Sequence, residues 1–431
     1  MQSLQLPVGG SVSLIRTGRI RPARDLGRIP EDSKARLIPL DERGAVLVKI
    51  SNLPRNYAWG SRTLVSDYFG PALTANAPDQ PAAEIWFGTH PGSPSVLAEA
   101  ESTTLLEKLG GHQLSFLLKI LAADQPLSIQ AHPNLQQAKD GFARENAQGL
   151  AIGAANRNYK DDQHKPEVIV ALSEFEALCG FKPIAELDQL LEDMETHSGV
   201  SEGFRVMAGN WRKLLQENDG LQKVFSDISN RRGNLDGFTP ELTTMADFDA
   251  RFALAERLNL LYPGDPGVVL AMLMNHIFLE PGQALFLPAG NIHAYLSGLG
   301  VEVMAASDNV LRGGLTPKHI DVAELERVVD FSAGHVPLVE PREISSGLVQ
   351  YPCNTDDFLL YKAEPSGDRL MADLQLAGES VVLCTAGEIA LSNSLEERVV
   401  LRRGEAAYMS PDAKFFSISG SGTAFLATSA Q

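Results

Sequence analysis

The feature that most constrains the fold is a change in hydrophobic spacing along the chain. Clusters of Pro, Gly, Asn and Asp separate short apolar strings at 46–50, 116–121, 168–172 and 284–287. This is the pattern of strands joined by turns. Beyond residue 183 the spacing becomes helical, as in Leu187, Leu190, Leu191 and Met194. We therefore predict a mainly β protein with an α-helical insertion.

These changes of pattern divide the chain into four predicted segments. An extension covers residues 1–45, and a discontinuous first β domain covers 46–183 and 268–340. A helical insertion domain covers 184–267, and a C-terminal β domain covers 341–431.

The extension differs from the rest of the chain in charge. Its first 44 residues hold eight basic and five acidic side chains, a net charge of +3, whereas the whole chain carries −17. Organelle-targeting peptides have this composition, with Arg and Ser but few acids. A disordered extension, a vector-encoded leader or translation from an upstream start also explains it, and we favour these explanations.

The composition excludes several classes of partner. An acidic chain lacks the basic surface that nucleic acids and anionic membranes require. No apolar run approaches the ~20 residues that span a bilayer, and none resembles a secretory signal. Cys179, Cys353 and Cys384 are far apart and lie in apolar strings, which indicates free thiols. We expect a cytoplasmic protein.

Four polar side chains at the ends of strand-like strings have the chemistry of metal ligands. Gln130 and His132 are two residues apart and share a face on a strand, Glu167 opens a strand, and His293 follows one. Two imidazoles, a carboxylate and an amide oxygen suit a borderline cation such as Zn²⁺ or Fe²⁺. Any single His is more often an ordinary surface or core residue, so the prediction depends on the set.

The segment that ends at His293 is the most specific of these signals. Its spacing, Gly-x5-Pro-x-Gly-x2-His, resembles the second metal-binding motif of the cupin superfamily, whose members are jelly-roll barrels. The superfamily pattern usually adds an Asn where this chain has Ser297. The strand from Gly404 to Pro411 repeats the pattern without a His. The resemblance implies two cupin-like jelly rolls, of which the second binds no metal and serves packing.

Further residues have the chemistry to bind an anion. Ser128 shares the strand face of Gln130, and Lys119 lies in an apolar string, where an unpaired Lys is costly. Lys165 is near Glu167, and Arg312 precedes two glycines. Such cations bind phosphate by charge-assisted hydrogen bonds. A salt bridge from Arg312 to Asp308 is an equal alternative.

The longer motifs identify the chain as similar to the type I mannose-6-phosphate isomerase (phosphomannose isomerase) family. The matching strings are Asn56–Ser61, Ala83–Pro91, Pro126–Pro133, Asn158–Asp161, His164–Glu167, Gly180–Phe181 and the run from Glu302 to Lys318. They occur in the order of the family, and the likeness extends from about residue 46 to the C-terminus.

The resemblance implies roles for particular residues. It implies one Zn²⁺ per chain, bound by Gln130, His132, Glu167 and His293. It implies catalytic or acid–base roles for Arg312, Lys165, Asp308 and His164, and phosphate contacts from Ser128, Lys119, Lys165 and Arg312. The base stays open between Lys165 and Asp308. For His164, a part in ring opening and a structural role are equal alternatives.

The resemblance also implies the reaction. A zinc-dependent aldose–ketose isomerase would interconvert mannose 6-phosphate and fructose 6-phosphate through an enediolate, in carbohydrate metabolism and GDP-mannose biosynthesis. The alternatives are an Fe(II) cupin dioxygenase and a non-catalytic sugar-binding cupin. We expect a small sugar phosphate as the partner, with neither nucleic acid nor membrane. A monomer is expected, with a homodimer as the alternative.

Overall fold

The computed structural model describes residues 46–232, 235–336, 338–374, 378–411 and 416–430. The predicted extension, residues 1–45, lies outside the described residues. None of the helices in these ranges has the length and apolar character needed to cross a membrane.

Twenty strands occur among the described residues. They are β1 (Leu47–Ser51), β2 (Glu84–Phe87), β3 (Val96–Leu97), β4 (Ala100–Thr104), β5 (Phe116–Ala123), β6 (Ile129–Ala131), β7 (Glu167–Ala171), β8 (Phe175–Phe181), β9 (Met274–Leu279), β10 (Ala284–Leu287), β11 (His293–Ala305), β12 (Leu311–Gly314), β13 (Arg342–Ser345), β14 (Leu348–Tyr351), β15 (Phe358–Ala363), β16 (Ser366–Leu374), β17 (Ser380–Asn393), β18 (Arg398–Arg402), β19 (Ala406–Met409) and β20 (Phe416–Ser429).

Ten α-helices accompany the strands in the described part of the chain. They are α1 (Leu64–Phe69), α2 (Leu105–Lys108), α3 (Leu135–Ala147), α4 (Ile184–Thr196), α5 (Glu202–Leu214), α6 (Gly220–Ser229), α7 (Leu235–Ala246), α8 (Ala253–Leu261), α9 (Pro266–Leu273) and α10 (Val322–Val328). Two short 3₁₀ helices lie at Pro71–Thr74 and Ala250–Phe252.

The strands form two antiparallel sheets. The larger sheet has eleven strands in the order β13-β14-β15-β20-β17-β19-β1-β3-β4, with β16 beside β20 and β18 beside β17. The other has nine strands in the order β10-β7-β11-β5-β2, with β6 and β8 beside β11, β12 beside β6, and β9 beside β8. Apolar side chains of both sheets, such as Ile120, Val301 and Phe425, meet in one core. The predicted mainly β class, with helices between the strands, is confirmed.

The long strand β11 joins the two parts of the nine-stranded sheet. Its second half pairs with β5 and β7, whereas its first half pairs with β6 and β8. The register shifts between Tyr295 and Ser297, and such a bulge bends a strand. At Gly298 φ is 118°, and a Cβ would lie 2.6 Å from the carbonyl oxygen of Glu174. The bend therefore requires a glycine.

Strand β5 shows why its apolar string forms a buried strand. All eight of its residues are buried. Phe116, Leu118 and Ile120 pack into the core between the sheets. The alternate residues Leu117 and Lys119 instead line a cavity inside the nine-stranded sheet. Because successive side chains point to opposite faces, one strand serves both the core and the cavity.

Helices α4–α8 lie within the region predicted as a helical insertion, and α9 begins at its end. Leu190, Phe225 and Leu258 of these helices share a core with Ile129 of β6 and Leu311 of β12. The helices thus support the strands that carry Gln130 and Arg312. The predicted limits 184–267 stay a prediction, and α9 continues beyond residue 267.

The first strand of the chain joins the C-terminal strands. Residues Leu47–Ile50 of β1 pair with Ala406–Met409 of β19. The Lys49 ammonium also lies 2.8 Å from the Glu405 carboxylate. The eleven-stranded sheet therefore includes strands from both predicted β domains, whose limits stay a prediction.

Candidate metal centre and active-site cavity

The four predicted metal ligands come from neighbouring strands of the nine-stranded sheet. Gln130 lies in β6 and His132 just after it, while Glu167 and His293 are the first residues of β7 and β11. Gln130 and His293 are directly opposite each other in the β6–β11 pair. The strand ends therefore bring the four side chains together.

Three of the four side chains form a tight buried cluster. One ligand atom from each of His132, Glu167 and His293 lies within 4.8 Å of the other two. Glu167 Oε2 is 3.3 Å from His132 Nε2 and 3.3 Å from His293 Nε2. The Gln130 amide reaches the same cluster, with its nitrogen 3.3 Å from His293 Nε2. A half-turn of the amide would present its oxygen instead.

Backbone carbonyls fix the orientation of both imidazoles. His132 Nδ1 donates to the Asn309 carbonyl at 2.7 Å, and His293 Nδ1 donates to the Asn291 carbonyl at 3.1 Å. A carbonyl can only accept, so the proton of each neutral ring is on Nδ1. Each Nε2 therefore carries a lone pair that is directed at the cluster. This arrangement of the second nitrogen is typical of metal-binding histidines.

The cluster fits a divalent cation because the facing atoms of its two imidazoles and its carboxylate are all acceptors. His132 Nε2 and Glu167 Oε2 are buried and have no hydrogen-bond partner among the described residues. Buried polar atoms are rarely left in this state. A cation between them would satisfy these atoms, and two imidazoles, a carboxylate and an amide oxygen suit Zn²⁺.

The protonation states of the cluster also suit a metal. Burial lowers the pKa of His132 to about 4, and the charge of Lys165 adds to this lowering. Burial alone would raise the pKa of Glu167, but Lys165 and His132 hold it well below its ordinary value. The result is a neutral imidazole beside an ionised carboxylate, as metal binding requires.

The cluster lies beside a cavity of about 860 Å³ inside the nine-stranded sheet. Its lining includes seven of the predicted site residues: Lys119, Ser128, Gln130, Lys165, Glu167, Asp308 and Arg312. His164 does not line it, and its Nε2 lies 2.9 Å from Asp357 Oδ2. A second cavity, of about 420 Å³, lies among the helices beside Trp211 and Phe238. The metal cluster makes the larger cavity the candidate active site.

Two of the predicted phosphate-binding cations have carboxylate partners. Lys165 Nζ is 2.7 Å from Glu167 Oε1. Lys119 Nζ is 2.9 Å from Glu302 Oε2 and 3.7 Å from Glu84 Oε1. Burial would lower the pKa of Lys119, but the two carboxylates outweigh burial and raise it. Both ammonium groups are therefore neutralised within the wall of the cavity.

Arg312 differs from these two lysines. It lies opposite Gln130 in the β12–β6 pair and lines the cavity. No hydrogen bond or ion pair joins its guanidinium to a residue in the described ranges. The alternative salt bridge to Asp308 is not formed, since Asp308 Oδ1 is instead 3.3 Å from His90 Nε2. Burial lowers the pKa of Arg312.

Sequence reasoning missed several residues of the cavity. Glu84, His90, Glu302 and Lys318 all line it. Asn309 lies fully buried behind it, and its amide nitrogen donates to Asp161 and Gln163. Glu302 is flanked by apolar residues in β11, as Lys119 is in β5. A charged residue isolated in an apolar strand was the signal that could have identified Glu302 as a cavity residue. His90 carried no such signal.

Comparison with known proteins supports the resemblance seen in the sequence. Residues 47–184 match the family described as phosphomannose isomerase type I, catalytic domain. The mannose-6-phosphate isomerase of Salmonella typhimurium is 35% identical over 397 residues, covering 87% of this chain and 97% of its own length. That of Escherichia coli is 34% identical over 397 residues, with the same coverage.

A solved structure shows the same likeness in three dimensions. The Salmonella typhimurium mannose 6-phosphate isomerase bound to fructose 6-phosphate and zinc is 33% identical, with a TM-score of 0.79. The match covers 89% of this chain and 100% of that one. The chain belongs to the type I mannose-6-phosphate isomerase family.

Proposed function

We propose that the cavity binds one Zn²⁺ and interconverts mannose 6-phosphate and fructose 6-phosphate. The observation that carries this proposal is the buried cluster of facing acceptors beside a cavity whose arginine is unpaired. The first feature requires a cation, and the second suits an anionic substrate. Both sugars are the substrates that family membership implies.

We assign the metal to Gln130, His132, Glu167 and His293. The carbonyls of Asn309 and Asn291 hold the two imidazoles in the required tautomer. When bound, the zinc ion would act as a Lewis acid that polarises the sugar oxygens next to the carbon that loses its proton.

The phosphate end of the substrate is assigned to Ser128 and Lys318. Lys318 lines the cavity, and burial followed by the charge of Arg312 lowers its pKa. In the antiparallel β12–β6 pair, Gly314 is opposite Ile129. Ser128, which precedes Ile129, is therefore on the side of the residues that follow Gly314 and lead to Lys318. Ser128 is two residues from Gln130, about 7 Å along a strand. The phosphate would thus be held apart from the metal.

At the reacting end, Arg312 and Asp308 have complementary tasks. Arg312, opposite Gln130, would donate to the enediolate oxygens as negative charge develops there. Asp308 presents a half-exposed carboxylate whose pKa is held below its ordinary value, first by a hydrogen bond from His90. An ionised carboxylate can take the proton from one sugar carbon and return it to the next. The Lys165 ammonium, paired with Glu167, would donate hydrogen bonds to the sugar instead.

The other predicted site residues receive supporting roles. Lys119 and Lys165 favour the ionised forms of the buried carboxylates of Glu302 and Glu167. His164 is bonded to Asp357 outside the cavity, which favours its structural role over a part in ring opening. We do not favour an Fe(II) dioxygenase or a non-catalytic binding protein, because neither gives Arg312 and Lys318 a task.

A coupled assay tests the proposed function. Purified protein should convert each sugar phosphate into the other, lose this activity with a chelator and regain it with Zn²⁺. Full activity in a metal-free sample would contradict the metal site. An inactive, zinc-loaded sample would contradict the reaction itself.

The predicted compartment and oligomeric state are further proposals. Cys179, Cys353 and Cys384 are free thiols, which supports the proposal of a reducing, cytoplasmic location. We also propose a monomer, which sedimentation of the zinc-loaded protein would distinguish from a homodimer.

A further inference from the structure

His90 lies on the cavity wall in a rigid setting. It begins a turn in which the Ser93 N–H donates to the His90 carbonyl at 3.0 Å, with Pro91 at the second position. The ring lies edge-on to Trp86 with centroids 4.8 Å apart, and the side chain is 10% exposed. At Gly92 a Cβ would lie 3.2 Å from His90 Nδ1, so the backbone closes over the ring.

The turn also determines which ring nitrogen of His90 carries the proton. The Gly92 N–H donates to His90 Nδ1 at 3.1 Å, so Nδ1 is an acceptor. The proton of the neutral ring must then be on Nε2. This nitrogen is 3.3 Å from Asp308 Oδ1. The nitrogen that carries the proton in the neutral ring is therefore the one that contacts the carboxylate.

The orientation of the Asp308 carboxylate depends on His90, because the other contacts of this segment hold only its backbone. The Asp308 N–H donates to Asp161 Oδ2 at 2.8 Å, and the neighbouring Asn309 carbonyl accepts from His132. The Asp308 side chain is 54% exposed. Within the described residues, His90 is the one side chain within hydrogen-bond distance of its carboxylate. Without this contact, no side chain of the described residues would hold the carboxylate.

We infer that His90 is a positioning residue for the isomerase reaction, which donates its Nε2–H to Asp308 and holds that carboxylate toward the substrate. The inference rests on the proposed role of Asp308 in proton transfer. A base held in one orientation spends more time in reactive geometry, and losing that orientation lowers the rate of the chemical step. Substrate binding at Ser128 and Lys318 would be little affected.

Two substitutions separate the hydrogen bond from the packing of the ring. His90→Phe keeps a ring against Trp86 but has no N–H. His90→Gln loses the ring but carries an amide N–H that can replace Nε2–H. His276→Ala is the matched control, because His276 Nε2 is 2.6 Å from Glu176 Oε1 and does not line the cavity.

The zinc-loaded variants should differ in kcat while their KM values stay similar. For His90→Phe we expect kcat to fall at least about tenfold, with KM for mannose 6-phosphate within about twofold of the unmodified protein. His90→Gln should recover most of the loss, and His276→Ala should keep the original kcat. Zinc content and the thermal midpoint should match those of the unmodified protein in each case. A His90→Phe variant with unchanged kcat would overturn the inference.

A double-mutant cycle tests whether His90 acts through Asp308. Asp308→Asn should lower kcat, and adding His90→Phe to it should cause no further loss. If His90→Phe lowers kcat of the Asp308→Asn protein by the same factor as before, His90 acts independently and the positioning role is wrong. If Asp308→Asn alone keeps full activity, the proposed role of Asp308 fails instead. If His90→Phe does not fold, His90→Gln is compared with His90→Ala instead. A higher kcat for His90→Gln supports the positioning role, and an equal kcat contradicts it.

Discussion

Replacing Lys119 with Met distinguishes two roles for this buried cation. The sequence predicts a phosphate contact, whereas in the structure the Lys119 ammonium lies 2.9 Å from Glu302 and 3.7 Å from Glu84. Its side chain is only 7% exposed. Methionine keeps the unbranched shape and removes the charge, so the variant changes electrostatics more than packing.

The expected loss of stability follows from the partners left behind. Glu302 is 3% exposed and Glu84 is 8% exposed, so neither carboxylate can be solvated well. Removing one partner of a buried ion pair costs about 3–5 kcal/mol, because an uncompensated charge stays in the interior. The Tyr295 hydroxyl, which donates to Glu302 at 3.0 Å, offsets part of this cost. We therefore expect the free energy of unfolding to fall by about 3 kcal/mol at neutral pH.

The pH dependence of this loss has a definite sign. Burial already raises the pKa of Glu302 above its ordinary 4.5, while Lys119 opposes the shift. A carboxyl whose pKa is higher in the folded than in the unfolded state lowers stability as pH rises through the interval between the two values. Without Lys119 the folded-state pKa is higher still. The deficit should therefore be greatest above that pKa and shrink as pH falls toward 4.5.

Urea denaturation of the zinc-loaded protein at several pH values measures the deficit, and kinetics with mannose 6-phosphate measures KM. Lys318→Met is the matched control, since Lys318 lines the same cavity but is exposed. It should change the free energy of unfolding by less than about 0.5 kcal/mol and raise KM. A Lys119→Met variant with unchanged stability and a raised KM would refute the ion-pair role and restore the phosphate contact.

Three further predictions address other parts of the chain. Arg312→Ala should lower kcat about a hundredfold or more, because it removes a hydrogen-bond donor to the enediolate oxygens. Zinc content should stay near normal, because no metal ligand is removed. An unchanged kcat in the coupled assay would contradict this prediction. His164→Gln should leave kcat within about threefold of that of the unmodified protein, since the contact of His164 with Asp357 lies outside the cavity. A larger loss would support a catalytic role for His164. Deletion of residues 1–44 should leave the thermal midpoint and activity unchanged, and a fall in either would show that this segment contributes to the fold.

The sequence predicted the metal cluster because its signals are local. Gln130 and His132 share a strand face by their spacing, and the glycines and proline before His293 define a strand between two turns. Such patterns depend on residues close in the chain. The likeness to a family then implied that the four side chains bind one Zn²⁺, which spacing alone does not establish.

The sequence did not predict which carboxylates neutralise Lys119. Lys119 meets Glu302 because β5 and β11 pair with these two residues directly opposite each other. A register shift of one residue would have directed one of them to the other face. Likewise, His90 reaches Asp308 across 218 positions of sequence through the fold of the sheet. Contacts of this kind depend on tertiary structure, so charge and spacing could only identify the candidates.

The balance of charge in the cavity explains how an acidic chain can bind a sugar phosphate. The chain carries a net charge of −17, but five cations and five carboxylates line the cavity, so its lining is formally neutral. The cations are Lys119, Lys160, Lys165, Arg312 and Lys318, and the carboxylates are Glu84, Asp161, Glu167, Glu302 and Asp308. A bound divalent cation would make the site positive by two charges, which matches a phosphate monoester near neutral pH. Charges beyond about 8 Å are largely screened at physiological ionic strength, so this local balance outweighs the acidic surface. The metal therefore contributes to substrate capture as well as to chemistry, and its removal should weaken binding of the sugar phosphate even where no proton is transferred.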